Sequence, residues 1–208
     1  SSPWYLREGR RFASIEAMIA HYRKHSPSDS CKLKSVVPRR NWLLGKANVH
    51  YESRNQLGKG RYSTAYKGSL ASGNHRSAVV VKKAIPLKHD SDIAEPSLPA
   101  ILEEARYLVY RTHQSIVNVI GVECCARPYL VIIEYCPGAD LHTHLSKRGK
   151  EIGTTERLLY CFEVSLGVAF VHSKNRVVRD LSDKNILISA RGELKIDCFG
   201  PSALLKRP

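Results

Sequence analysis

Apolar positions recur along this chain with two different periods, and the change from one to the other divides it into elements. Ile15, Met18, Ile19 and Tyr22 stand at i, i+3, i+4 and i+7 behind Ser14, a residue that caps helices well, so the spacing predicts a helix over 15–22. With Phe12 before it and the short apolar run Leu33 to Pro38 after it, residues 1 to about 40 read as strand, helix, strand. Ala78 to Ile85 is instead a continuous β-branched run, which predicts a largely buried strand. A helix is predicted from Pro96 to about Thr112, with Ile101, Ala105, Leu108 and Glu104 on one face and Glu103 pointing away. Ile116 to Val122 and Tyr129 to Tyr135 read as two more buried strands, and Cys136-Pro137-Gly138 as the turn that leads into a helix near Leu141. From Thr154 to about Lys174 apolar residues occupy nearly every face, so this long helix is expected to be buried all round.

The 208 residues allow one or two domains, and 43% hydrophobic with 25% charged residues is the balance of a globular protein. No window approaches the ~18 apolar residues that span a bilayer. The start, Ser1-Ser2-Pro3-Trp4, carries neither a basic-then-apolar leader nor an initiator Met, and reads as the start of a fragment. Six cysteines show no metal-ligand spacing; free thiols in a reducing compartment, the cytoplasm by default, are the expectation. The net charge of +14 is spread along the chain, densest at Arg7 to Arg11. A solvated basic surface explains it, and no zinc pattern, ribonucleoprotein motif or basic heptad points to nucleic acid.

Two charged positions stand out because they interrupt apolar stretches. A lysine ending the buried run 78–85 is costly unless paired, and either Lys82 or Lys83 fills that role, on opposite faces. Glu104, a carboxylate inside an apolar helical stripe, also needs a cation. Leu57-Gly58-Lys59-Gly60 adds a glycine pair that lets backbone approach a phosphate closely, although a hairpin turn explains a lone Gly-x-Gly nearly as well.

Further on, Val178-Arg179-Asp180-Leu181-Ser182-Asp183-Lys184-Asn185 is followed by Ile186-Leu187-Ile188 and Cys198-Phe199-Gly200. Arg-Asp-Leu, three variable residues and Asn resembles the catalytic loop of protein kinases, and Phe-Gly resembles their metal-binding turn. Leu57 to Gly68 resembles the kinase glycine loop, with Ser63 at its third glycine and Ala65 at its valine. The order of motifs, from glycine loop through Lys82, Glu104 and a hinge at 134–136 to Asp180, Asn185 and Phe199-Gly200, extends the resemblance over nearly the whole chain. The Phe12 to Tyr22 helix with Leu33 to Pro38 resembles the C-terminal third of a Src-homology-2 domain. That domain's phosphotyrosine-binding arginine belongs to an earlier strand, so phosphotyrosine binding is not expected. With Trp42 at the junction, this is the order seen in Fes/Fer-type cytoplasmic tyrosine kinases.

The resemblance implies an α+β, protein-kinase-like bilobal fold: a five-stranded antiparallel N-lobe with one helix, the start of a helical C-lobe, and a preceding Src-homology-2 tail. The implied boundaries are 1–40 for that tail, 41–54 for a linker, 55–136 for the N-lobe and 137–208 for a partial C-lobe. It also implies ATP and Mg2+ as cofactors and protein tyrosine as substrate, in the cytoplasm or at the inner face of the plasma membrane. Lys82 would grip the phosphates, Glu104 would orient Lys82, and Asp180 would serve as base. Leu57, Gly58, Gly60, Ala65, Val80, Glu134, Cys136 and Leu187 would surround the nucleotide, with Ile133 as gatekeeper and Val80 and Ala65 exchanging volume on the adenine ceiling. Asn185 would hold magnesium. Ser182, where serine/threonine kinases usually carry lysine, and Lys184 favour tyrosine.

Two positions depart from the pattern. Val178 replaces the loop histidine, and Cys198, a soft thiol unsuited to magnesium, replaces the metal-binding aspartate. Asp197 is adjacent but, on alternation, points to the opposite face, so its use is expected to need a strand slip or bulge. A catalytically impaired, nucleotide-binding or allosteric module is therefore the second reading.

Overall fold

A computed structural model describes residues 10–25, 33, 35, 40–60, 63–84, 105–125, 127–178, 180–198 and 204–206. The chain forms two units, Ser1–Arg40 and Asn41–Pro208. In the first, α1 (Ile15–Lys24) starts where the Ser14 hydroxyl accepts the Ala17 N–H, the cap that its position suggests. Met18 and Tyr22 are buried, whereas Ile15 and Ile19 stay exposed, so half of the expected stripe is covered. Most of 33–38 lies outside the described residues.

The second unit is built around the valines of β3 (His75–Ala84). That strand lies centrally in an antiparallel sheet of order β1 (Val49–Lys59), β2 (Ser63–Ser72), β3, β5 (Leu130–Glu134) and β4 (Val119–Glu123). Alternation splits the valine run between two cores. Val79 and Val81 join Val49, Leu130 and Ile132 on one side, while Val80 joins Val119, Val131 and Ile133 on the other. Onto the second side packs α2, helical over 105–109 among the described residues, through Ala105 and Leu108. Both faces are therefore covered, which is why residues 78–81 of the strand are apolar without interruption.

Residues 41–54, expected as a linker, are part of this folded unit. The Trp42 carbonyl accepts the Val122 N–H and the Leu44 N–H donates to the Val122 carbonyl, both at 2.8 Å, extending the sheet beyond β4. Trp42 is buried, and its indole N–H donates to the Tyr110 hydroxyl at 3.1 Å. A short 3-10 turn, Lys46–Asn48, then leads into β1.

Asp140 caps α3 (Leu141–Arg148) by accepting the Thr143 N–H at 2.7 Å. The long helix α4 (Thr154–Ser173) follows, then β6 (Arg176–Val178) paired with β9 (Leu204–Lys206), and β7 (Ile186–Ile188) paired with β8 (Leu194–Ile196). This is the two-lobed α+β arrangement that the resemblance implies, with a five-stranded sheet before the start of a helical lobe.

The expectation that α4 is buried all round is corrected. Leu158, Leu159 and Phe162 are 65%, 56% and 58% exposed, and only Gly167 and Val171 are buried. One side of α4 packs on the strand pair β7–β8, close enough that a Cβ on Gly167 would come within 2.8 Å of both Ile196 and the Ser115 carbonyl. The opposite side faces outward. No helix among the described residues is long and apolar enough to cross a membrane.

Gly121 marks the closest approach of segment 42–44, because a Cβ there would collide with the Trp42 carbonyl. Gly121→Ala should therefore lower stability by about 1–3 kcal/mol in chemical denaturation. An unchanged midpoint would show that this segment is not docked on β4.

Candidate active site

Strand alternation decides which lysine faces the second lobe, across the cleft that the resemblance assigns to the nucleotide. Lys82 shares the face of Val80, while Lys83 shares that of Val79 and Val81. Lys82 Nζ donates to Asp197 Oδ2 at 2.5 Å, with the two side chains only 13% and 15% exposed. The pair joins the central strand of the sheet to the residue just after β8. Glu104, the expected partner of Lys82, lies outside the described residues, as do Arg179, Phe199 and Gly200.

Asp197 reaches the cleft without the slip or bulge expected of it. β7 and β8 pair in regular register, Ile186 with Ile196 and Ile188 with Leu194. Leu194, Ile196 and Cys198 are each at most 1% exposed and face the interior of the second lobe. Lys195 and Asp197 alternate to the other side. Cys198 therefore stands away from the cleft, in an apolar cluster with Ile116, Val171 and Ile196, and Val178 packs against the same cluster. The two unusual residues of the motif thus share one environment.

The loop residues 180–185 are tied to this point by a short chain of hydrogen bonds. The Asp197 N–H donates to the Asn185 carbonyl at 2.7 Å, and Asn185 Nδ2 donates to the Asp180 carbonyl at 3.1 Å. The Asn185 N–H closes the turn on the Ser182 carbonyl. Asp180 is exposed, and Asp183 is held by His142 Nδ1 of α3 at 2.8 Å. Lys82, Asp197, Asn185 and Asp180 form one connected series.

Of the residues expected around the nucleotide, Val80 and Cys136 belong to one buried cluster, against which Ala65 and Leu187 pack. Ile133 lies in the same cluster, paired with Val80 across β3 and β5. Gly58 pairs with Ala65 in the β1–β2 hairpin, which the Gly60 N–H closes on the Ser63 carbonyl at 2.8 Å. Leu57 is half exposed at its rim. A Cβ on Gly58 would meet nothing within 4 Å, so the fold's own packing does not call for glycine there. Burial, with the nearby Glu134 carboxylate adding to it, pushes the Cys136 thiol up to about 11. Cavities of about 510 and 420 Å³ lie elsewhere, the first against Trp42, Leu70 and Ile120 and the second against Arg111 and Phe170.

Sequence reasoning does not find the role of Lys195. Its ammonium donates to Glu134 Oε1 at 2.9 Å, and the same oxygen accepts the Asn118 N–H at 2.6 Å. The Glu134 N–H in turn donates to the Asn118 carbonyl at 3.0 Å, so the hinge end of β5 is fastened to both neighbours. A lysine between two buried apolar residues is a readable signal, but its partner lies 61 positions away. Lys195→Met leaves the Glu134 carboxylate without its cation and should cost about 3 kcal/mol. Adding Glu134→Gln, which keeps an acceptor for Asn118, should recover part of that loss in a double-mutant cycle. Additive losses would deny the coupling.

Residues 51–207 match the model of the family described as protein tyrosine and serine/threonine kinase. Among curated relatives, spermatocyte protein spe-8 of Caenorhabditis elegans is 28% identical over 200 residues, 95% of this chain and 38% of that protein. Tyrosine-protein kinase Fer of Mus musculus is 30% identical over 203 residues, covering 95% of this chain and 24% of the relative. Tyrosine-protein kinase transforming protein Fps of avian sarcoma virus (strain PRCII) is 28% identical over 203 residues, 95% of this chain and 36% of its own length. The chain thus spans between 24% and 38% of the length of these relatives.

Proposed function

This chain belongs to the family of protein tyrosine and serine/threonine kinases, and we propose that it transfers the γ-phosphoryl group of ATP to a protein tyrosine. The observation that carries the proposal is the connected series Lys82, Asp197, Asn185 and Asp180, whose hydrogen bonds tie the sheet to the loop of the second lobe. Its cation, carboxylates and amide are the groups that phosphoryl transfer asks for.

The roles follow from where the groups stand. Adenine would lie in the apolar cluster of Ala65, Val80, Cys136 and Leu187, beside the hinge residue Glu134. The open space at Gly58 suits a ligand that approaches the hairpin more closely than a side chain would allow. Lys82 would neutralise phosphate oxygens, and Glu104 is proposed to orient it. Asp180 would accept the proton of the attacking hydroxyl, to which it is open as an exposed carboxylate.

Magnesium wants oxygen donors, and Asn185 offers one, since its amide nitrogen is already turned to the Asp180 carbonyl. Bound there, the ion would neutralise charge on the transferring phosphate. Cys198 does not suit that role, because its sulfur is soft and it is buried on the far side of the strand.

Tyrosine as acceptor is supported by Ser182 and Lys184 in the loop and by the names of the relatives Fer and Fps. We further propose residues 1–40 as the C-terminal part of a Src-homology-2 domain, without phosphotyrosine recognition of its own, and the cytoplasm as the compartment. Cys198 favours a second reading, a nucleotide-binding module that regulates partners without phosphoryl transfer. Asp180→Asn separates the two. If the chain is an enzyme, the variant should transfer label from γ-labelled ATP to a tyrosine peptide about 10²–10⁴-fold more slowly while binding ATP unchanged. Nucleotide binding with no transfer by the unaltered chain would support the second reading instead.

A further inference from the structure

We infer that Asp197, one residue before the position to which the kinase resemblance assigns the metal-binding carboxylate, holds the divalent cation of metal–ATP in this chain, together with Asn185. The inference rests on the reading of the cleft as a nucleotide site.

Three observations carry it. The regular pairing of β7 with β8 fixes which side chains face which way, and it puts Asp197 on the cleft side and Cys198 on the core side. The carboxylate of Asp197 already holds a cation, the Lys82 ammonium, so it is presented on the cleft side as an acceptor of positive charge, which a divalent ion would share with the lysine. Finally, the Asp197 N–H is bonded to the Asn185 carbonyl, which ties the carboxylate to the loop residue whose amide oxygen points away from Asp180. Magnesium bound with ATP needs only one or two protein oxygens, because phosphate oxygens and water complete its shell.

The same geometry says what Cys198 does. With Val178, Ile116, Val171 and Ile196 it fills an apolar cluster, and a carboxylate in its place would be buried there at 1% exposure. Restoring aspartate at 198 should therefore not restore a metal site. It should lower the melting temperature. The shift of the carboxylate to 197 and the apolar character of 178 and 198 form one coordinated departure.

The test measures ATP affinity of the full chain by calorimetry, in EDTA and in Mn2+. The unaltered chain and Cys198→Ala should show the same metal-dependent gain. Asp197→Asn should bind ATP in EDTA yet lose at least ten-fold of that gain, and Cys198→Asp should show no larger gain than the unaltered chain. Retention of the gain in Asp197→Asn, its loss in Cys198→Ala, or an increase in Cys198→Asp would each overturn the assignment. So would the absence of any metal-dependent gain. If the unaltered chain binds no ATP under either condition, the nucleotide reading itself fails, and the assignment with it. A variant-free readout guards against misfolding: with ATP present, Mn2+ should broaden the Asn185 side-chain amide and the Asp197 backbone amide in NMR spectra. Broadening that spares both would overturn the assignment.

Discussion

The ion pair between Lys82 and Asp197 is the contact on which the arrangement of this molecule turns, because it is where the sheet and the helical lobe present their charged groups to each other. Its partners come from elements 115 positions apart and are largely shielded from water. Removing two charges from solvent is costly, and a buried pair seldom stabilises a fold more than apolar residues of the same volume would. The pair is therefore better explained by chemistry than by stability. What the fold contributes is position. β3 is pinned between β2 and β5, so the lysine root cannot drift, and β8 is held by its regular ladder to β7.

A second constraint lies just behind the first. Val178 and Cys198 occupy two positions where the resemblance leads one to expect polar groups, and the structure brings both to the same apolar cluster under α4. A carboxylate at position 198 would be buried there without solvent. The regular alternation of β8 leaves Asp197 as the carboxylate that faces the cleft. The Lys195–Glu134–Asn118 connection serves the neighbouring hinge in a similar way, since a cation from β8 fixes the end of β5.

Much of the fold was legible in the residues themselves. The uninterrupted valines of β3 require burial on both faces, and two cores cover them. Ser14 caps α1, and the Pro-Gly turn before Leu141 does lead into α3. The misreadings have physical causes. Apolar residues around the whole of α4 say that its surface is hydrophobic, not how many neighbours cover it, and Leu158, Leu159 and Phe162 remain open. Residues 42–44 looked like part of a connector because their hydrogen bonds go to β4, some 80 positions later, where no local pattern could show them. Alternation correctly separated Asp197 from Cys198. It could not say which of the two faced the cleft, because that depends on where the lobe's core lies. Lys195, between two apolar residues, carried a sign of needing a partner, but partnership across 61 positions is a property of the folded chain.

The central claim is that the Lys82 ammonium shares one nucleotide cleft with the loop carboxylate. It is tested most directly by an ATP derivative bearing an acyl group on its terminal phosphate, which transfers that group to a nearby amine and releases ATP. Peptide mapping by mass spectrometry then identifies the acylated lysine. The account predicts acylation at Lys82, suppressed by excess ATP, with Lys83 on the opposite face of β3 unmodified. Modification at Lys83 instead, or at scattered surface lysines without protection by ATP, would contradict it.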